Sequence, residues 1–254
     1  MGNFLRYERP IIASMVNSKT PDRTIELIGI AIAEGADAVG IQTDAFLPEY
    51  RNVEEYRRVF AAANGLPTYV THYRTGDFKH NSDNDENIGE HLVEIARIGA
   101  TLVDVMGDLY CKDPLEMTFD PVAVEKQKRL IERLHAEGAE VIMSSHALKY
   151  LPAEKVLEMA NAQVERGADI VKIVTFANSE EEEVENLKTS LLLKRELKKP
   201  FLFLAGGECK IHRRLGPSFG ASMWLCDAAI EENGKTPVRP LISQVKAITA
   251  NLTY

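Results

Sequence analysis

The sequence predicts a (β/α)8 barrel, in which eight parallel strands alternate with helices. Short apolar runs rich in β-branched residues alternate with longer amphipathic segments from end to end, which is the pattern of βα units. The same helix-to-strand turn occurs four times, in GADAV, GATLV, GAEVI and GADIV. Eight such units in 254 residues fit a barrel better than an open sheet. We therefore predict one barrel domain over residues 1–254.

Eight apolar runs are the predicted strands. They are rich in valine, isoleucine and aromatic residues and are bounded by glycine, proline or acidic residues, as strands commonly are. The predicted strands cover residues 10–16, 36–44, 67–74, 101–108, 140–147, 168–177, 200–207 and 221–228.

Seven amphipathic segments are the predicted helices. Asp120 followed by Pro121 is typical of an N-cap and a first helical residue. A glycine stands just past five of the predicted helix ends, where a left-handed backbone is common: Gly35, Gly65, Gly99, Gly138 and Gly167. The predicted helices cover residues 20–34, 53–64, 86–98, 121–137, 153–166, 179–197 and 240–251.

Composition restricts the classes of partner. The net charge of -8 and the isoelectric point of about 5.4 argue against general binding to nucleic acid or to an anionic membrane. The cysteines Cys111, Cys209 and Cys226 are widely spaced and form no CxxC pair, so we expect no disulfide framework and no structural zinc. The start MGNFLRYERP lacks a signal-peptide core, and no apolar run is long enough to span a membrane. We predict a soluble cytoplasmic protein.

In a (β/α)8 barrel the functional side chains lie at the carboxyl ends of the strands and in the loops that follow. This rule selects a small set of polar candidates along the chain. They are Asp44, Arg74, Asp108, His146, Lys172 and the loop GGECKIHRR.

Lys172 interrupts the apolar run GADIVKIV of the sixth strand. An ammonium group there loses hydration, which costs several kcal/mol unless the group is paired or gives up its proton. One interpretation is a salt bridge with a carboxylate elsewhere in the barrel. The other is a neutral amine that attacks a carbonyl and forms a Schiff base. The residues alone leave both open.

His146 ends the fifth strand in VIMSSHALKYLP. A lone histidine in such a place is commonly structural. Neighbouring barrel strands are about 5 Å apart, however, so a side chain at the end of the fifth strand can reach one in the sixth. An imidazole beside an imine could take a proton from the adjacent carbon and later protonate a leaving oxygen.

The segment GGECKIHRRLGPSFGA carries a basic cluster, composed of Lys210, His212, Arg213 and Arg214. It is either a solvated loop or an anion site, because glycine lets backbone N–H groups approach and arginine matches a carboxylate or a phosphate. Arg74 could supply a second cation.

The polar segment 75–90 is predicted to be a loop over the mouth of the barrel. It contains four side chains that could bind a divalent ion: His80, Asp83, Asp85 and Glu86. Their spacing matches no EF-hand or zinc pattern, so we predict no metal.

Three segments together resemble type I 3-dehydroquinate dehydratase, the Schiff-base (β/α)8 enzyme of the shikimate pathway of aromatic amino acid biosynthesis. They are AEVIMSSHALKYLPAEKVL, GADIVKIVTFANSEEEEVENL and IHRRLGPSFGA. The resemblance implies that Lys172 forms the imine, His146 is the general acid and base, and Arg213 holds the substrate carboxylate. Arg74 matches the arginine that ends the family's third strand, and Ser144 is expected to contact substrate.

The implied reaction is elimination of water from 3-dehydroquinate to give the conjugated enone 3-dehydroshikimate. It requires no metal and no organic cofactor, and its partner is a small carboxylate molecule. Barrels of this sort often pair, which makes a homodimer one candidate assembly.

The chain also departs from the family pattern. Gly40, Ile41 and Gln42 stand where the family has Glu-x-Arg, so Gln42 is the remaining candidate for substrate contact on the second strand. The serine before the family's arginine is His212 here, and the glutamate that orients the family's histidine has no clear counterpart. The acids available to replace that glutamate are Asp44, Asp77 and Asp108.

Three alternatives therefore stay open. The first is a divergent Schiff-base lyase that acts on another hydroxy-ketone acid. The second is a class I aldolase in which the seventh loop binds phosphate. The third is a barrel without catalysis that serves as a ligand sensor or interaction module.

Overall fold

The computed structural model describes residues 4–6, 9–74, 84–229 and 238–252. Its eight strands form one sheet in the order β7-β6-β5-β4-β3-β2-β1-β8, so each strand up to β7 lies beside its predecessor and β8 lies beside β1. The pairs with a described register are parallel. This strand order is that of the (β/α)8 class, and the predicted fold class is confirmed.

All eight predicted strands are present, and each is somewhat shorter than its apolar run. The strands are β1 Ile11–Val16, β2 Ala38–Gln42, β3 Thr68–Thr71, β4 Leu102–Met106, β5 Glu140–His146, β6 Ile170–Phe176, β7 Phe201–Gly206 and β8 Met223–Cys226.

The seven predicted helices are also present, together with a short one that the sequence did not predict. The helices are α1 Pro21–Ala33, α2 Val53–Ala62, α3 Asp85–Arg97, α4 Pro121–Ala136, α5 Ala153–Glu165, α6 Glu180–Glu196, α7 Ile211–Leu215 and α8 Ile242–Thr249. Short 3₁₀ turns occur at Phe4–Arg6, Thr43–Ala45, Pro48–Tyr50 and Gly216–Phe219.

Side-chain caps and glycine turns fix the helix ends. The Asp120 carboxylate accepts hydrogen bonds from the backbone N–H groups of Val122 and Ala123, at 3.0 and 2.8 Å. The predicted turn glycines all have left-handed φ, as at Gly35 with 84° and Gly167 with 103°. Any other residue would be strained there, so glycine at these positions directs the chain from each helix into the next strand.

The described chain packs as two compact units. The first comprises Met1–Asp104, Arg133–Glu140 and Leu225–Tyr254, and the second comprises Val105–Glu132 and Val141–Trp224. Lys172 and His146, the two predicted catalytic residues, both belong to the second unit.

Both units contain fully buried apolar side chains. Ile28 and Tyr56 are fully buried in the first unit, and Val156, Met159 and Leu202 are fully buried in the second. Burying one such side chain contributes about 1.5–3 kcal/mol. None of the described helices combines the length and the apolar character needed to cross a bilayer.

Candidate active site

Lys172 lies in the middle of β6 and is only 4% exposed. Its partners in register are Ser144 of β5 and Leu202 of β7. Residues in register on parallel strands direct their side chains to the same face of the sheet. Lys172 and Ser144 therefore share a face.

His146 is the last residue of β5, two positions beyond Ser144. Side chains two positions apart on a strand point the same way, so His146 lies on the same face as Ser144 and Lys172. Neighbouring strands are about 5 Å apart and two residues rise about 7 Å, distances that a lysine side chain can cover. The structure thus brings the predicted amine and the predicted imidazole to one face of the second unit.

Ser144 offers this face a free hydroxyl. Its side chain is fully buried, and its Oγ makes no hydrogen bond within the described part of the chain. A buried hydroxyl without a partner is costly, and a polar group of a bound substrate would relieve that cost. Contact between Ser144 and substrate stays a prediction.

Glu116, which the sequence did not single out, holds the imidazole. Its Oε2 accepts a hydrogen bond from the backbone N–H of His146 at 2.7 Å and lies 2.5 Å from Nδ1 of the ring. A carboxylate can only accept, so Nδ1 carries the hydrogen. In the neutral ring the lone pair is then on Nε2, the nitrogen suited to take a proton from substrate.

The acid that orients His146 was an open question in the sequence, with three candidates. Asp44 belongs to the first unit, where burial raises the pKa of its carboxyl from 3.8 to about 6. Asp108 accepts the backbone N–H of Asp113 at 3.0 Å. Asp77 lies outside the described residues. The acid on Nδ1 is Glu116, from the loop between β4 and α4.

Glu116 reaches His146 because the backbone of its loop is unusually close to β5. Its φ of 52° is in the left-handed region. A Cβ on Gly107 would lie 2.7 Å from the carbonyl oxygen of Glu116 and 2.8 Å from Oγ of Ser145, distances that no side chain tolerates. Glycine at position 107 therefore permits the approach.

Arg166 forms hydrogen bonds at both ends of this loop, at Gly107 and at Thr118. It is buried, and its guanidinium donates to the carbonyl oxygens of Gly107 and Thr118 and to Oε1 of Gln127. Gln127 in turn donates to the carbonyls of Gly107 and Leu109, at 3.1 and 2.8 Å. Burial lowers the pKa of Arg166 to about 10, which still leaves it charged at neutral pH. Charge-assisted bonds of this kind make the position of the loop specific.

Glu116→Gln is expected to lower kcat by roughly 10²-fold while KM stays nearly unchanged, because the amide no longer fixes the hydrogen of the imidazole on Nδ1. Steady-state kinetics with the substrate proposed below would measure both constants. The matched control is Glu125→Gln in α4, where the carboxylate pairs with exposed Arg129. Wild-type kcat in Glu116→Gln would show that the contact does not serve catalysis.

Arg74 and Gln42 lie in the first unit. Nε of Arg74 is 2.6 Å from Oδ1 of Asp85, and Nη2 is 3.0 Å from Oδ2, a two-pronged ion pair with the first residue of α3. A substrate carboxylate that binds Arg74 would have to share the guanidinium with Asp85 or displace Asp85 from it. Gln42 ends β2, and its Oε1 is buried without a hydrogen bond to any described residue.

The seventh loop is more ordered than the sequence suggested. The segment predicted to be irregular contains α7, so that prediction is wrong at Ile211–Leu215. Arg213 lies half-buried on this helix. His212 instead points into the second unit, where Nε2 is 2.8 Å from Oγ of Ser190 and the ring packs edge-on against Phe203. Burial lowers the pKa of His212 to about 4, so it is not part of a cationic cluster at neutral pH.

His212→Gln is expected to flatten the pH dependence of stability. In the wild type the folded protein binds a proton at His212 far less readily than the unfolded chain does, because burial lowers the pKa from 6.5 to about 4. The stability linked to this residue is complete above pH 6.5 and is lost as the pH falls towards 4, by about 3 kcal/mol. Urea unfolding at pH 7 and pH 4.5 measures the loss in each protein.

The control for this experiment is His135→Gln, because His135 is exposed on α4. The wild type and this control should lose the same free energy of unfolding between the two pH values, and His212→Gln should lose less. Equal losses in all three proteins would contradict the assignment of His212 as a buried neutral group.

The described residues contain no group of three or more histidine, cysteine or acidic side chains arranged to hold a metal ion. Of the four side chains considered for a divalent ion, His80 and Asp83 lie outside the described residues. Asp85 is the partner of Arg74.

Comparison of sequences connects this geometry with known proteins. The model of the type I 3-dehydroquinase family matches residues 12–248. The 3-dehydroquinate dehydratase of Alkaliphilus oremlandii (strain OhILAs) is 33% identical over 117 residues, which are 45% of this chain and 45% of that protein. The alignment thus spans less than half of the length of this relative.

Comparison of structures gives the same fold. The 3-dehydroquinate dehydratase of Geobacillus kaustophilus HTA426 has a TM-score of 0.77 and 18% identity over 96% of this chain and 91% of its own. The type I enzyme from Clostridium difficile, solved with covalently modified comenic acid, has a TM-score of 0.79 and 17% identity over 96% and 92%. Since the family model covers most of the sequence, the chain belongs to the type I 3-dehydroquinase family.

Proposed function

We propose that the chain is a Schiff-base lyase that eliminates water from 3-dehydroquinate and yields 3-dehydroshikimate. The observation that carries the proposal is the shared face of β5 and β6, on which lie a buried lysine and a histidine held by a glutamate. An amine and an oriented imidazole are the two groups that imine-based elimination requires. Membership of the type I 3-dehydroquinase family supplies the substrate.

The first step is condensation. The neutral amine of Lys172 attacks the substrate ketone, and loss of one water gives the imine. The protonated imine withdraws electrons from the neighbouring carbon, which makes its C–H bond acidic. This electron sink removes the need for a metal or an organic cofactor in the proposed reaction.

The second step is elimination. Nε2 of His146 takes the proton from the carbon next to the imine, giving an enamine, and then returns it to the departing β-hydroxyl, which leaves as water. Glu116 holds Nδ1, so it keeps the ring oriented and stabilises the imidazolium between the two transfers. Hydrolysis of the imine consumes one water and releases the enone, so the net change is loss of one water.

Orientation of the substrate is assigned to the remaining predicted residues. In the second unit, Arg213 is the proposed anchor of the carboxylate and Ser144 the proposed partner of a hydroxyl group. The roles of Arg74 and Gln42, which belong to the first unit, stay predictions. Positioning of this kind can supply several kcal/mol of the barrier reduction, because the reacting groups no longer have to find their alignment.

The direct test is turnover of 3-dehydroquinate by the wild-type chain. The product is a conjugated enone, so its formation is followed by ultraviolet absorbance. We expect a steady rise in absorbance that is proportional to enzyme concentration. A flat trace at saturating substrate would contradict the assigned substrate.

A second candidate keeps the imine and changes the substrate. A Cβ on Gly40 would lie 2.1 Å from the sulfur of Met15, its partner in register on β1. The Met15 side chain therefore fills space that a glutamate at position 40 would need. This favours a hydroxy-ketone acid that lacks the ring hydroxyl held by that glutamate. Covalent capture of 3-dehydroquinate without turnover would support this candidate.

Cytoplasmic location, a homodimeric assembly and the absence of nucleic-acid or membrane partners stay predictions. Cys111, Cys209 and Cys226 form no disulfide with one another, which fits a reducing compartment. The net charge of -8 disfavours polyanions. Light scattering on the purified full chain would test the dimer, because a single monomeric species at micromolar concentration would contradict it.

A further inference from the structure

Gln163 of α5 makes an unusual set of contacts with the strand that carries the proposed imine. It is fully buried, on the helix that packs against β6. Its Oε1 accepts the backbone N–H of Lys172 at 3.1 Å, and its Nε2 donates to the carbonyl oxygen of Lys172 at 3.2 Å. The same Nε2 donates to Oγ of Ser145 at 3.0 Å.

One side chain thus satisfies both backbone groups of the lysine. In a parallel sheet the N–H and C=O of a strand residue normally bond to the backbone of neighbouring strands. At Lys172 a carboxamide also bonds to both of these groups. An amide is suited to it, because it accepts and donates at once, whereas a carboxylate only accepts and an ammonium only donates.

The contacts also tie the two halves of the site together. Ser145 directly precedes His146 on β5, and Lys172 lies on β6 in register with Ser144. Gln163 therefore bonds to the backbone from which the amine extends and to the residue next to the imidazole. A shift of β6 along β5 would break at least one of these three bonds.

We propose that Gln163 is a positioning residue that fixes Lys172 relative to His146. This inference rests on the proposed function, since it needs Lys172 to be the reacting amine. A lysine side chain has four rotatable bonds, so the place where its backbone is held sets which points its nitrogen reaches. A misplacement of about 1 Å at a reacting group can cost roughly 10²-fold in rate.

The first test is Gln163→Met, which keeps the length of the side chain and removes all three hydrogen bonds. We expect kcat for 3-dehydroquinate to fall by roughly 10²-fold while KM stays within about threefold, because substrate still binds to the cationic side chains. The matched control is Asn186→Leu. Asn186 is a buried amide of α6 that donates to the carbonyl of Phe176, four residues beyond Lys172 on the same strand, at 3.4 Å.

The second test is Gln163→Glu, which separates positioning from simple support of the fold. A protonated glutamic acid accepts the hydrogen bond from the backbone N–H of Lys172, and its hydroxyl can donate one of the two hydrogen bonds that the amide donates. The ionised form can donate neither of these two bonds. We expect kcat to approach the wild-type value at low pH and to fall progressively as the pH rises. A residue that only supports packing would give no such pH profile. Urea unfolding of each variant at the assay pH shows how much of it is folded.

Three results decide the matter. The role of Gln163 is supported if both variants behave as described while Asn186→Leu keeps wild-type kcat and its pH profile. It is overturned if folded Gln163→Met keeps wild-type kcat, or if the pH profile of Gln163→Glu coincides with that of the wild type. Absence of both turnover and covalent capture in the wild type would instead remove the proposed function, and this role with it.

Discussion

Lys172→Met is expected to abolish turnover, with a fall in kcat on the order of 10⁴-fold or more, because no other step replaces the covalent intermediate. Methionine keeps an unbranched, apolar side chain at this buried position of β6, so the protein should still fold. The loss should therefore appear in kcat with little change in the midpoint of urea unfolding. Ultraviolet absorbance with 3-dehydroquinate measures the rate.

The control for this variant is Lys188→Met. Lys188 is exposed on α6 and pairs with Glu185 at 2.6 Å, so its replacement should leave turnover at the wild-type level. Substantial turnover by folded Lys172→Met would mean that the reaction proceeds without an imine at this residue.

His146→Ala is expected to separate imine formation from elimination. The amine of Lys172 is retained, so the covalent complex with the substrate still forms. Turnover should fall by roughly 10²- to 10⁴-fold, because both proton transfers lose their carrier. Rapid quenching with borohydride during the reaction should therefore trap a larger share of the enzyme as adduct than in the wild type.

The effect of His146→Ala should exceed that of Glu116→Gln, since the glutamate acts only through the imidazole. Near-normal turnover in His146→Ala would remove histidine from the mechanism. A variant that neither turns over nor forms an adduct would instead assign His146 to the condensation step.

The fold was predictable because its signals are local. Alternation of apolar runs with capped amphipathic segments placed every strand and seven helices, and the turn glycines marked their boundaries. The helix α7 was missed because its five residues are too few to show a period and lie between glycines. Strand order then followed from the rule that successive βα units lie side by side.

The site was predictable in part. Lys172 and His146 stand out because each interrupts or ends an apolar strand. Glu116 gave no comparable signal. Its position depends on a left-handed backbone, on the missing side chain of Gly107 and on Arg166, which lies far along the chain. The role of Gln163 could not be predicted from the sequence either, because its contacts form only when α5 packs on the sheet.

The pairing of Arg74 with Asp85 also depends on tertiary structure. Arg74 lies three residues beyond the end of β3, and its partner follows a long polar segment whose path the sequence does not give. The contact between Gly40 and Met15 is a further case, since it joins two strands in register. Local sequence patterns carry no record of such contacts between distant residues.

The most direct measurement is the location of the covalent bond. Wild-type enzyme is mixed with 3-dehydroquinate, reduced with borohydride, digested and analysed by mass spectrometry. A single reduced adduct on the peptide that contains Lys172, absent from Lys172→Met, is the expected result. Product formation without any adduct, or an adduct on another lysine, would contradict the account.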